Sequence, residues 1–371
     1  MNKIIVDISQ LSLKKYTGIS YYLFSLLNNV DIDKINSFIL LSPFKAIPQQ
    51  LLNSYKTEFW GIGKDAKKIN WFVTLKRNYL GYYFLHKKVN KMNPDIFWGP
   101  DFVVPKNLNK SIKTFVHIHD MIIFNDELKE KRLDFAKKIL GSIFLSQVKY
   151  SILNSDVVLT VSNSVANRIN SFFHDRSLKI EVIYPAVDKM IFRYIEDPSK
   201  TLLKYSINTS FIMGINMKAE RKNFVKLVDA FDKVKVKGLL CIVGNLSPYQ
   251  IEYGSKVLKS RFKYLGYVPE NDLPSIYSGA NAVVLPSVEE GFDLPSIEAR
   301  ACFAPVIASD IDIHREVLED EADYFKLDDE ITLIKLINER LLNPKEVLKS
   351  KIIDKYSWQK SAEKLINLFE T

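Results

Sequence analysis

The chain has 371 residues, 47% of them hydrophobic and 26% charged. That length suits two domains, and the composition is globular, which excludes a disordered or fibrous protein. The 52 Lys and Arg outnumber the 43 Asp and Glu, for a formal charge of +9, so an anionic partner is expected: a nucleotide, a membrane surface or a nucleic acid. Cys241 and Cys302 lie far apart in apolar segments and read as reduced core residues, not as a disulfide or metal site. No apolar run approaches the roughly 18–20 residues of a membrane span, and Met1 leads straight into a strand. The expectation is a cytoplasmic protein without a signal peptide.

Lys3 to Ile8 predicts the first strand. A polar loop with Lys14, Lys15 and Thr17-Gly18 follows, then a helix over Ile19–Leu27, whose apolar residues recur at helical spacing. Ser37–Leu41 and Thr57–Trp60 are further short strands. Trp71 to Met92 reads as a long helical region that interleaves aromatic residues with Lys76, Arg77, Lys87, Lys88 and Lys91. Such a composition suits either an anionic membrane surface or a helix packed on a sheet with its basic face in water. Ile96–Trp98 is a strand, and Lys113–Ile118 another, ending at His119-Asp120. In an open parallel sheet ligands lie beyond the carboxyl ends of the strands, which is where His119 falls; His117 lies inside the strand. Asp156–Val161 is a strand, Ser162-Asn163-Ser164 caps a helix running to Phe172, and Lys179–Ile183 closes the first half.

The second half restarts the alternation of strand and helix. Strands are expected at Ser210–Gly214, Gly238–Gly244 and Phe262–Tyr267, the last leading into Val268-Pro269. Arg221-Lys222-Asn223 precedes a helix over Phe224–Val234, and Asn271-Asp272 starts another over Leu273–Ser278. The chain then reaches its most informative stretch. Ala282–Leu285 is a buried strand, 288–293 a loop, Leu294 to Cys302 a helix, and Pro305–Ala308 a second apolar strand ending at Ser309-Asp310. A helix over Ile331–Leu342 and, after Tyr356-Ser357-Trp358, a last helix running to about Phe369 complete the chain.

A strand, a glycine-bearing loop and a helix start make an anion site, because the first helical N–H groups lack partners and the dipole adds about half a positive charge there. Pro295 fits the first turn, where its missing N–H costs nothing. Phosphate there would repel carboxylates, so Glu290 and Glu298, with seven residues between them, should serve neutral, hydroxyl-rich groups on either side of it. A diphosphate flanked by two sugars is a nucleotide-sugar. Arg221 and Lys222 would meet the diphosphate and stabilise it as it leaves.

Glu290-Gly291-Phe292, Leu294-Pro295, Glu298-Ala299, Ala301-Cys302 and Pro305–Asp310 resemble the glutamate-x7-glutamate motif of retaining nucleotide-sugar glycosyltransferases of family GT4. Thr17-Gly18-Ile19 with Tyr22, His119-Asp120, and Tyr184–Asp188 resemble that family's other signatures. Asp293, Phe303 and Ala304 depart from its glycine-rich pattern, and Asp293 adds a negative charge beside the proposed phosphate pocket.

The resemblance implies an α/β chain of GT-B fold: two doubly wound, Rossmann-like domains facing across a cleft. The acceptor domain would span 1–190 and the nucleotide-sugar domain 191–356, with a final helix over about 357–371 crossing back to the first. It implies that Glu290, His119 and Lys222 are catalytic, with Glu290 on the donor sugar and His119 near the transferred sugar. Glu298 would hold the ribose, and Gly291, Phe292 and Leu294 would offer N–H groups to phosphate. Arg221 and Val268 complete the donor side; Gly18 and Asp120 lie on the acceptor side. Relatives often carry a basic residue upstream of Arg221-Lys222. Here Asn216 and Met217 stand in that region with Lys218 nearby, so whether Lys218 or Arg221 reaches phosphate stays open.

The overall style is similar to bacterial mannosyltransferases of surface-polysaccharide assembly, which makes GDP-mannose the first donor expected and a glycan or lipid-linked glycan the acceptor. No cofactor or metal is expected. Asp31-Ile32-Asp33 follows a helix at the wrong end of a sheet, and Asp310-Ile311-Asp312 reads as helix caps. Peripheral attachment to the inner face of the membrane is expected from the basic first domain. Two alternatives are a nucleotide-sugar epimerase on the same fold and a basic nucleic-acid-binding protein, although no nucleic-acid motif stands out.

Overall fold

The computed structural model describes residues 2–12, 18–35, 37–43, 47–59, 82–125, 135–343 and 349–371. The chain forms two compact units, Met1–Pro185 together with Trp358–Thr371, and Ala186–Ser357.

In the first unit the described strands are β1 (Ile4–Asp7), β2 (Phe38–Ser42), β3 (Lys56–Phe59), β4 (Ile96–Gly99), β5 (Lys113–Ile118), β6 (Val157–Thr160) and β7 (Ile180–Val182). They form one sheet in the order β3-β2-β1-β4-β5-β6-β7, and every neighbouring pair is parallel. A parallel sheet is covered on both faces, so its inner strands are continuous apolar runs; β1, β2 and β4 are buried along their whole length. The order reverses between β1 and β4, which makes the carboxyl ends of those strands the switch point of this unit.

The last helix, Trp358–Glu370, belongs to this unit. Trp358, Ala362, Leu365, Ile366 and Phe369 share its buried stripe at helical spacing. The Phe369 ring meets Phe115 at 4.8 Å, Trp98 at 5.8 Å and Phe38 at 6.0 Å. The expected Trp71–Met92 helix is seen over Tyr82–Met92; Trp71 to Gly81, with Lys76 and Arg77, lies outside the described residues, as do Lys14, Lys15, Thr17 and Trp60.

In the second unit β8 (Phe211–Ile215), β9 (Leu239–Val243), β10 (Phe262–Gly266), β11 (Ala282–Leu285), β12 (Val306–Ser309) and β13 (Asp323–Phe325) form a sheet in the order β10-β9-β8-β11-β12-β13. Its pairs are parallel too. The order reverses between β8 and β11, and that switch point is where Arg221-Lys222 and Glu290–Asp293 emerge. Gly214 on β8 is held by packing: a Cβ there would stand 2.6 Å from Met217 Sδ and 2.8 Å from Ile242 Cδ1.

The helix expected after Asn271-Asp272 is found, and two expected caps, Asp310 and Asp312, are corrected. Asp272 precedes the Leu273–Gly279 helix without a side-chain cap bond; its carboxylate instead takes Lys204 at 2.6 Å and the Tyr205 hydroxyl at 2.7 Å. Asp310 and Asp312 are not caps, and Asp312 is the first residue of the Asp312–Leu318 helix itself. Ile311 holds the cap position, and Asp310 takes Arg315 through two bonds of 2.6 and 2.9 Å. The Asp310 carboxylate is drawn to a charged side chain of the very helix it precedes, whereas Asp272 reaches back to the end of the Ser199–Lys204 helix.

Candidate active site

The site residues of the second unit are set by two loops at the carboxyl edge of its sheet. After β8 the chain passes through a single 3-10 turn, Glu220–Lys222, and leaves it at Asn223 in the left-handed region (φ 58°). After β11, residues 286–293 lead to the Leu294–Ala301 helix, entered at Asp293 with φ 69° and ψ 67°. The two loops are tied by backbone: Val288 N donates to Arg221 O at 2.8 Å. The Arg221 guanidinium returns the contact by donating to Glu289 O at 2.9 Å.

This brings four charges together. Lys222 Nζ lies 2.8 Å from Glu290 Oε1 and 2.9 Å from Asp293 Oδ1. Arg221 pairs with Glu290 Oε2. Lys222, Glu290 and Asp293 are all buried. Asp293 therefore does not stand as a bare negative charge at the helix start, as the sequence suggested. Lys222 neutralises it from one side, and His314 Nε2 faces its Oδ2 at 3.5 Å from the other. Burial alone would raise the Asp293 carboxyl, but Lys222 and His314 outweigh burial and hold it well below the usual carboxylate range. Burial works against the Lys222 ammonium, and Asp293 with Glu290 more than restores it, so Lys222 stays charged.

Glu298 sits farther along the same helix, partly buried. Tyr277, from the Leu273–Gly279 helix, donates to its Oε2 at 2.8 Å. Burial raises the Glu298 carboxyl to about 7; the Tyr277 bond opposes this and the Asp293 charge adds to it. The two glutamates of the motif thus differ in kind: Glu290 is locked between cations, and Glu298 titrates near neutrality.

Gly291 and Leu294 are half-exposed between the two glutamates, and Phe292 is buried with its ring edge-on to Tyr356 at 5.3 Å. Val268 is buried in the loop that leaves β10, at the same sheet edge but at its outermost strand. Lys218 is exposed in the turn after β8, whereas Arg221 is drawn onto Glu290.

In the first unit His119 follows β5 and is buried. Its ring stacks on His117 at 4.8 Å with an 8° tilt, and Tyr22 meets it edge-on at 5.2 Å. Nε2 lies 2.7 Å from the Pro100 carbonyl, which can only accept, so Nε2 carries the hydrogen. Burial lowers the His119 pKa to about 4, against the opposing Pro100 bond. At neutral pH the ring is therefore uncharged, with a lone pair at Nδ1. Asp120 closes a turn by accepting from Ile122 N at 3.0 Å. Gly18 opens the Gly18–Asn28 helix, and an added Cβ there would meet nothing within 4 Å.

Sequence reasoning missed Tyr277 and His314. Each approaches the motif from another helix, with no spacing signal to betray it. Among the described residues no group of three or more His, Cys, Asp or Glu is arranged to hold a metal ion. No helix among them is long and apolar enough to cross a membrane.

Two family models match the chain: Glycosyltransferase Family 4 over residues 46–189 and Glycosyl transferases group 1 over residues 209–343. O-antigen chain mannosyltransferase B of Escherichia coli is 28% identical over 239 residues, covering 61% of this chain and 59% of the relative. O-antigen chain mannosyltransferase RfbU of Salmonella typhimurium is 34% identical over 196 residues, covering 53% of each. The chain thus spans somewhat over half the length of these relatives. Among solved structures, sucrose-phosphate synthase from Thermosynechococcus elongatus superposes with a TM-score of 0.78 at 16% identity, covering 99% of this chain and 98% of that one. Anabaena HepE, in complex with UDP and glucose, gives a TM-score of 0.71 at 14% identity with all of both chains covered. Two parallel-sheet units, the paired glutamates around the Leu294 helix start, and models that match most of the sequence lead to one conclusion: the chain belongs to the family 4 glycosyltransferases and has the GT-B fold.

Proposed function

We propose that the chain transfers mannose from GDP-mannose to a glycan or lipid-linked glycan, with retention of anomeric configuration and without a metal ion. One observation carries this reading. The switch point of the second unit gathers Arg221, Lys222, Glu290 and the Leu294 helix start at one loop–helix junction, with Glu298 on the same helix. Such a junction suits a diphosphate between two hydroxyl-rich groups. Arg221, Lys222 and the helix N-terminus supply positive charge where the leaving diphosphate gains negative charge. Glu290 serves the donor sugar and Glu298 the ribose. His119, uncharged and with a lone pair at Nδ1, accepts a hydrogen bond from a sugar hydroxyl. The choice of mannose is supported by the names of the two curated relatives, both mannosyltransferases. Neither name supports the epimerase alternative.

The test is transfer from GDP-mannose, UDP-glucose and dTDP-glucose to a lipid-linked oligosaccharide, with and without EDTA, the product's anomeric configuration being read by NMR. Mannose transfer with retention and full rate in EDTA is expected. Transfer from another donor alone would move the sugar assignment, and loss in EDTA with rescue by magnesium or manganese would overturn the metal-free reading. We place the enzyme peripherally on an anionic membrane surface through basic residues such as Lys87 and Lys88, each contributing roughly 1 kcal/mol near such a surface. Failure to co-sediment with anionic vesicles at low salt would count against that placement.

A further inference from the structure

Asp293 occupies backbone that a side chain disfavours, the left-handed region at φ 69°. A carboxylate is kept there nonetheless, and its side chain is wholly buried. Each oxygen has one near neighbour: Oδ1 meets the Lys222 ammonium at 2.9 Å, and Oδ2 faces His314 Nε2 at 3.5 Å. His314 is fixed in turn. Its Nδ1 lies 2.9 Å from Ser309 O and so donates to it, and the Ser309 hydroxyl donates to Ser287 O at 2.5 Å. A continuous set of contacts thus runs from the ends of β11 and β12 through His314 and Asp293 to the Lys222 ammonium.

Lys222 has a second anion, Glu290, but that carboxylate also takes Arg221. In the proposed reaction Glu290 turns to the donor sugar. Asp293 has no exposed side-chain surface and is anchored through the helix entry, where its carbonyl accepts from Ser296 N at 2.9 Å and from Ser296 Oγ at 2.7 Å. Of the two carboxylates, only Asp293 can keep hold of the lysine throughout a catalytic cycle.

We propose that Asp293, standing on His314, is the positioning residue for Lys222, setting the ammonium where the leaving diphosphate develops its charge; the inference rests on the transferase reading above. Asp293 touches no substrate and acts only through the lysine. A carboxylate beside Lys222 also offsets positive charge that would otherwise favour the donor in its ground state. Its loss therefore lowers kcat while donor KM stays the same or falls, a split that general loosening of the site would not give.

The experiment is a double-mutant cycle of Asp293→Asn and Lys222→Gln, with Asp293→Gly as a second variant whose residue accepts the left-handed backbone without strain. Thermal melts first establish which variants fold, and Asp293→Gly carries the test where Asp293→Asn does not. In the otherwise wild-type chain, kcat is expected to fall about tenfold, the loss of one well-placed charged contact, with donor KM within about twofold or lower. In the Lys222→Gln background the same change should have no further effect, because the residue it positions is gone. Unchanged kcat in Asp293→Asn and Asp293→Gly would overturn the proposal. An equal loss in both backgrounds would overturn it too, by giving Asp293 a role independent of the lysine. A Lys222→Gln enzyme with wild-type kcat would instead sink the phosphate-site reading of Lys222 itself.

Discussion

Glu298 carries a carboxyl whose state pH can read. Its carboxyl is raised to about 7 from an ordinary value of 4.5, chiefly by burial. If the ionised form accepts the ribose hydroxyls, nucleoside diphosphate affinity grows as pH rises through about 7. The effect on stability has the opposite sign: a raised folded-state value contributes stability below 4.5 that is lost as pH rises through about 7. Calorimetric titration with GDP at pH 5.5 and pH 8 should show tighter binding at pH 8, and Glu298→Gln should bind more weakly and lose the pH dependence. A flat profile in the unaltered protein would take the ribose away from Glu298. The pair of glutamates was legible in the sequence because the motif is local and its flanks fall in register. The environment that separates them was not. Tyr277 reaches Glu298 from 21 residues upstream, and His314 reaches Asp293 from the helix after β12; both contacts depend on how helices stack over the sheet.

At the scale of elements, the strands were the easier half. A parallel sheet covered on both faces writes its strands as short apolar runs between turn residues, and β1, β5, β8 and β11 stand within a residue or two of where those runs place them. The Phe135–Asn154 helix escaped notice because its apolar residues are spread round the axis and leave no stripe. Where a cap is purely local it was readable: Ser162 accepts from Val165 N at 3.2 Å at the start of the Asn163–Phe172 helix. Asp310, also placed as a cap, instead pairs with Arg315 of the helix it precedes. The Pro248–Leu258 helix carries a reciprocal cap, Ser247 accepting from Gln250 N and Gln250 from Ser247 N. Gln250 also donates to Met217 O at 2.9 Å, tying this helix to the turn after β8 that leads to Arg221. Ser247→Ala should lower stability by about 1 kcal/mol, read as a lower urea midpoint at constant slope. A changed slope or an unchanged midpoint would show that the cap is not holding the helix end.

For the molecule as a whole, a simple division at the middle of the sequence is the wrong cut, because the last helix returns to the first unit. Trp358 packs edge-on to Tyr22 at 5.5 Å, and Phe369 fills the space between Phe38, Trp98 and Phe115. Asn2 Nδ2 donates to Phe369 O at 2.7 Å, so the first and last turns of the chain hold one another. Burial of a large apolar side chain contributes about 1.5–3 kcal/mol, and four such residues, Trp358, Leu365, Ile366 and Phe369, leave the unit together if the chain stops at Ser357. Typical domains hold only about 5–15 kcal/mol in all, so the first unit should lose most of its stability, while the second keeps every strand of its own sheet. Phe369→Ala alone should cost about 3–5 kcal/mol. Hydrogen exchange followed by mass spectrometry separates the two cases by location. In the chain ending at Ser357, amides of β1, β4 and β5 should lose protection and those of β8, β9 and β11 should keep it, with Phe369→Ala showing the same pattern in milder form. Protection retained in β1, β4 and β5 would mean that the helix merely rests on that unit. Equal loss in β8 and β11 would mean that the second unit does not stand on its own core.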